Sequence, residues 1–262
     1  MLGSRLSVGL QRASRFMAAL TAAAGLAVLA GWALGLESFT SSRIGIFTSK
    51  ANFAAASMFA GAALLLLHAR RHYAASLTLS ALVTAIGAAT SCEYFFGIDL
   101  GIDRILFADR NDPTSPGRMS HMAAFNTTLF GLALLSLHSP SVPAISTCIG
   151  CLASLLSFLS LVGYANGVDF FREMALLTGL VMITFSVALV FTRPDEGPMR
   201  ILSSDTPGGA MARRILPVTI FLPPIIGYFR LLGERAGLYH TEFGVSLSVI
   251  TSVNPGSVAR GA

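Results

Sequence analysis

Few residues in this chain can do chemistry, and most of them stand between Glu93 and Thr128. Glu93 closes an apolar run, and an unpaired charge at a membrane-helix end is costly enough that it must pair or work. Arg118 and Arg172 are its candidate partners, because both are placed on the same face by the alternation of apolar and polar stretches. Around it stand Tyr94, Asp99 and Asp103. With Glu93, Arg118, Asn126 and Arg172 they make up the candidate ligand-sensing set. A salt bridge that merely fixes helix order is the simpler alternative for Glu93.

Other constellations carry less. His68 and His72 have the i,i+4 spacing that can hold a metal or ligate haem iron, but beside Arg70 and Arg71 they read as interfacial basic residues. His121 and His138 lie near opposite ends of one run, too far apart to share an ion. Cys148-Ile149-Gly150-Cys151 has redox-pair spacing, yet it sits in an apolar run with no βαβ pattern, so buried packing thiols are expected. Asn126, Thr127 and Thr128 can line a pocket or bond a neighbouring helix, a bond worth about 0.6–2 kcal/mol. Pro207-Gly208-Gly209 is no phosphate cradle, since no Lys-Ser/Thr follows it. Nothing resembles a nucleophile–base pair, a kinase signature or a nucleotide motif. No catalytic activity, metal, cofactor or nucleic-acid partner is therefore expected.

The elements that hold these residues are apolar blocks. The chain of 262 residues is 53% hydrophobic and 12% charged, with a net charge of +5. Soluble domains average roughly 25% charged residues. The fold class expected is an all-α polytopic transmembrane helix bundle in a lipid bilayer. Seven runs are clear: residues 16–36, 51–67, 74–92, 119–137, 142–168, 174–192 and 215–229. An incomplete eighth covers 243–253, and a short interfacial helix is expected near 100–107. Residues 1–15 form an N-terminal segment, 16–250 the bundle and 251–262 a disordered tail. Pro217, Pro223 and Pro224 interrupt the seventh run, which predicts a kinked helix enclosed by its neighbours, with hinge candidates at all three.

A weak repeat runs through the second, fourth and sixth runs. Ser49, Met119 and Met174 each lead after twelve residues to a similar tetrad, starting at Gly61, Gly131 and Ser186. Small residues at one depth permit close helix approach. Arg5, Arg12, Arg15, Arg70, Arg71, Arg193, Arg200, Arg213, Arg214 and Arg260 share one side with the N terminus, ten of the 18 basic residues, a slight excess that favours a cytoplasmic N terminus.

Several spaced motifs resemble a known family. They are Glu93-Tyr94, Asp99-Leu100-Gly101-Ile102-Asp103, Pro116-Gly117-Arg118-Met119-Ser120, Met174-Ala175-Leu176, Arg193-Pro194, Pro207-Gly208-Gly209, Arg213-Arg214-Ile215-Leu216-Pro217 and Gly237-Leu238-Tyr239. Together they are similar to the N-terminal integral-membrane sensor (MASE-like) region of bacterial sensor histidine kinases and of PAS- and GGDEF-containing signalling proteins. The resemblance implies a non-catalytic input domain in the bacterial inner membrane. It would work as a homodimer, or with a kinase or cyclase output module in cis or in trans. Family members commonly continue the fourth helix as Ser-Pro-Asn-Thr-Ala, where this chain has Ser120-His121-Met122-Ala123-Ala124. They also run on into a coiled coil and output module, which 251–262 do not resemble. A small transporter or channel, or a haem- or quinone-binding membrane protein, are the alternative functions.

Overall fold

The computed structural model describes residues 2–36, 49–69, 72–107, 117–139, 143–166 and 175–236. Its helices are α1 (Leu2–Ala33), α2 (Ala51–His68), α3 (Tyr73–Phe96), α4 (His121–Leu137), α5 (Pro143–Ala165), α6 (Leu176–Val190), α7 (Met199–Ser203) and α8 (Pro207–Arg235). A 3-10 turn, Ile102–Arg104, lies between α3 and α4. No strand occurs among the described residues. Backbone groups satisfied within each segment are what lipid demands. Serine and threonine follow the same rule. Ser80, Thr84, Ser91, Thr128, Ser154, Ser157 and Ser160 each donate to the carbonyl four residues back in the same helix.

Residues up to 206 form one unit. Its six long helices pack as three hairpins, α1 with α2, α3 with α4 and α5 with α6, and α6 closes back onto α1. The second helix of each hairpin also touches the other two second helices, so α2, α4 and α6 form the centre. The core side chains come mostly from these three, among them Leu64, Phe130, Leu134, Met182, Phe185 and Leu189. Phe130 and Phe185 meet edge to face at 5.0 Å. Outward-facing residues of α1, α3 and α5, such as Phe16, Leu82 and Leu155, stay exposed, and lipid would cover them.

The repeat seen in sequence marks those central helices. A β-carbon on Gly61 would overlap the Ala18 carbonyl of α1, and one on Gly131 would overlap Thr84 of α3. Across the same two interfaces Gly25 lies against Ala54 and Met58, and Gly87 against Thr128. Ser186 is wholly buried in α6. Contact this close between backbones is the main source of helix association in lipid, where apolar burial alone gives little preference.

Several expectations are corrected. Among the described residues five helices are long and apolar enough to cross a membrane, so five of the expected seven spans are shown at that length: Leu6–Ala33, Ala51–His68, Tyr73–Phe96, Ala144–Ala165 and Pro207–Arg230. The apolar helices His121–Leu137 and Leu176–Val190 are shorter. At 1.5 Å per residue they reach only about 25 and 22 Å, against about 30 Å of hydrocarbon. Extended residues eat into both runs: Ser120 caps α4 by accepting from the Ala123 amide, and Ala175 is the extended residue before α6. The interfacial helix near 100–107 shrinks to the one 3-10 turn, because Gly101 ahead of it takes a φ of 72°. Residues 2–15 are helical and continuous with the first apolar run.

Residues from 207 onward belong to a second unit. Helix α8 starts at Pro207, where a missing N–H is harmless, and continues through Pro217, Pro223 and Pro224. Within this unit Met211, Ile215, Val218, Leu222, Ile225 and Phe229 are exposed. The run 243–253 and the tail 251–262 lie outside the described residues.

Candidate functional site

The chemistry gathers where α3 ends and α4 begins. Gly97 takes a φ of 65° and stops α3. The chain then folds back over the helix end, and the Leu100 amide donates to Glu93 Oε1 at 2.8 Å. Asp99 shapes the same turn by accepting from the Gly101 amide at 2.9 Å. Asp103 follows on the 3-10 turn and is buried.

Arg118 faces these carboxylates from the residues just before α4. Its Nε donates to Asp103 Oδ2 at 2.9 Å and lies 3.3 Å from Glu93 Oε2. Its Nη2 is 3.8 Å from the more exposed Asp99. Gly117 makes this approach possible. It has a φ of 77°, and a β-carbon there would overlap the Asp103 carbonyl. Asp103 Oδ1 accepts from Asn52 Nδ2 at 2.7 Å, which ties the cluster to the head of α2. Tyr94 lies on the other side of the guanidinium, its ring centroid 5.4 Å from Arg118 Cζ. It stacks on His121 at 3.7 Å and donates its hydroxyl hydrogen to the Met119 carbonyl at 2.8 Å.

Burial works against a charged guanidinium at Arg118. The hydrogen bond to Asp103 and the charges of Glu93 and Asp103 outweigh it and hold its pKa above the ordinary arginine value. Arg118 is a permanent cation among acids. Its side chain is 19% exposed, while that of Glu93 is fully covered. No group of three or more His, Cys, Asp or Glu among the described residues is arranged to hold a metal.

Five of the seven candidate sensing residues therefore meet: Glu93, Tyr94, Asp99, Asp103 and Arg118. Arg172 lies outside the described residues. Asn126 stands apart, wholly buried in α4, with Nδ2 bonding Ser157 of α5 at 3.3 Å and Oδ1 without a hydrogen-bond partner. It binds a neighbouring helix, the plainer of its two expected roles. Sequence reasoning missed Asn52 and Gly117. A lone amide in the first turn of an apolar run was the signal for Asn52; Gly117 looked like any turn glycine.

The opposite end of the bundle is closed by histidines. Ser14 of α1 donates to the Ala188 carbonyl at 2.7 Å and lies 2.9 Å from His68 Nε2 and 3.1 Å from Thr192 Oγ1. With its only hydrogen given to Ala188, Ser14 accepts from His68, which places the imidazole proton on Nε2. His138 spans from the Leu134 carbonyl to Ser76, and Tyr73 meets its ring edge-on at 5.0 Å. Ser7 reaches Asp195, and Arg193 bonds the Leu137 carbonyl. His68 and His72 thus do not form a pair: His68 is engaged with α1, and His72 has a φ of 54° ahead of α3. Cys148 and Cys92 are exposed and Cys151 is partly covered, which corrects the expectation of buried packing thiols. All three lie on the outer helices α3 and α5.

No family model, no curated protein and no solved structure matches the chain. Fold and composition define the class on their own: among the described residues the protein is all-helical, with five helices apolar and long enough to cross a membrane.

Proposed function

We propose that this protein is a membrane-embedded input domain of bacterial signal transduction, non-catalytic in itself and read by a histidine kinase or diguanylate cyclase module in cis or in trans. One observation carries this reading. The Arg118 guanidinium and its carboxylates join α3, the 3-10 turn, the head of α4 and, through Asn52, the central helix α2. A stimulus acts only through unequal affinity for two packings. A buried charged cluster that links four segments is a suitable element, because small changes in its charge are expensive away from water. The motif resemblance supports the same reading. In it the protein sits in the inner membrane as a homodimer with a cytoplasmic N terminus. The output module is driven through α8, whose Pro217, Pro223 and Pro224 each remove a backbone hydrogen bond and so supply hinge points.

The test fuses the chain to a histidine-kinase core and measures autophosphorylation in proteoliposomes under ionic, pH, redox and lipid challenge. Stimulus-dependent phosphorylation that Arg118→Gln abolishes is the expected result. A kinase core indifferent to every challenge overturns the reading.

A further inference from the structure

Arg118 Nε carries a single hydrogen, and two buried carboxylate oxygens compete for it. Asp103 Oδ2 takes it at 2.9 Å, and Glu93 Oε2, 3.3 Å from the same nitrogen, has no hydrogen-bond partner. The Glu93 side chain is fully covered and that of Asp103 is 4% exposed. The other oxygens are satisfied: Glu93 Oε1 by the Leu100 amide and Asp103 Oδ1 by Asn52. Both carboxyls therefore crowd the same nitrogen, one at 2.9 Å and the other at 3.3 Å. Two ionised carboxylates in that position would leave one oxygen bare and one negative charge uncompensated in a covered site, an arrangement that close carboxyl pairs avoid by retaining a proton.

We propose that the Glu93–Asp103 pair is a proton-binding site that holds one proton, carried on Glu93 Oε2 and donated to the Asp103 carboxylate. This deepens the input-domain reading, on which its signalling role rests, by naming the proton as the ligand. The titratable and charged groups around the pair are Asp99 and Arg104 of the returning turn, Arg118 ahead of α4, Tyr94 of α3, His121 of α4 and Lys50, two residues before Asn52 at the head of α2. Arg104 pairs with Asp99 at 3.4 Å on the exposed side. That leaves Arg118 as the only cation bonded to Asp103 among the described residues. As pH rises the proton leaves, both carboxylates become charged, and one guanidinium must serve two. Repulsion then separates the 3-10 turn from the end of α3, and the Asn52 bond passes the strain to α2. As pH falls the proton returns and the turn is drawn back.

The experiment is infrared difference spectroscopy on the full chain in lipid nanodiscs, titrated with acid and base. At pH values where exposed carboxyls such as Asp99 are already ionised, wild type should still show the carbonyl stretch of one protonated carboxyl, which disappears on raising the pH further. Glu93→Gln supplies amide hydrogens to Asp103 in place of the proton, and Asp103→Asn supplies them to Glu93, so each variant should lose the band while keeping its helix content. A wild type with no carboxyl band left once the exposed acids are ionised overturns the proposal, whether or not the variants fold. A band that survives either substitution overturns it as well. Because the band is read in the protein alone, its fate is separable from that of the kinase fusion. A titrating band with a silent fusion supports the proton site and overturns the input reading.

Discussion

Replacing Arg118 by Gln removes the cation on which the covered Glu93–Asp103 pair depends. Breaking a buried ion pair from one side costs about 3–5 kcal/mol, chiefly because the abandoned charge stays buried. Arg118 is 19% exposed, so water can partly take its place, and the low end, about 3 kcal/mol, is the expected loss. That corresponds to roughly a 150-fold drop in the folded-to-unfolded ratio. The loss should be pH-dependent with a definite sign. In acid both carboxyls are neutral and need no cation, so the deficit should shrink to about 1 kcal/mol, the order of an ordinary hydrogen bond. The assay is reversible unfolding by SDS in mixed micelles, followed by circular dichroism at neutral and acidic pH. A second arm uses Arg118→Gln with Glu93→Gln, whose amide hydrogens serve the stranded Asp103 carboxylate without depending on a bound proton. The double variant should be more stable at neutral pH than Arg118→Gln alone. A neutral-pH loss below about 0.5 kcal/mol, the value for ordinary surface changes, would refute the reasoning. So would an equal loss at both pH values.

Three further outcomes follow from the packing. Gly117→Ala forces a side chain into a backbone of φ 77° against the Asp103 carbonyl, and should cost at least about 1 kcal/mol in the same unfolding assay; a neutral effect would show that Arg118 is not held by this turn. Gly131→Val drives a branched side chain into Thr84 at the α3–α4 crossing and should cost about 1–3 kcal/mol by forcing the hairpin apart. The same change at Gly9, where nothing lies within 4 Å, should stay within about 0.5 kcal/mol. A lipid-soluble maleimide should modify Cys92 and Cys148 in the native protein faster than the partly covered Cys151; fastest labelling at Cys151, followed by mass spectrometry, would contradict the placement of α5.

Sequence by itself determined that the chain is helical, that its helices suit lipid, and which residues deserved suspicion. The reason is physical: apolar blocks of about 20 residues have no aqueous solution, and a glutamate at the end of such a block cannot stay unpartnered. The spacing from Ser49, Met119 and Met174 to Gly61, Gly131 and Ser186 even marked α2, α4 and α6, because a crossing that tight admits only small residues. Tertiary structure alone decided the rest. Asn52 is 51 residues from Asp103 and Ser14 is 174 from Ala188, and no local periodicity announces a bond across such separations. That α4 and α6 are short follows from the extended caps at Ser120 and Ala175, which no hydropathy run reveals. The competition of Glu93 and Asp103 for a single hydrogen on Arg118 exists only because Gly97, Gly101 and Gly117 turn the backbone back on itself. Charge type is written in the chain; which charges must share a donor is settled by packing.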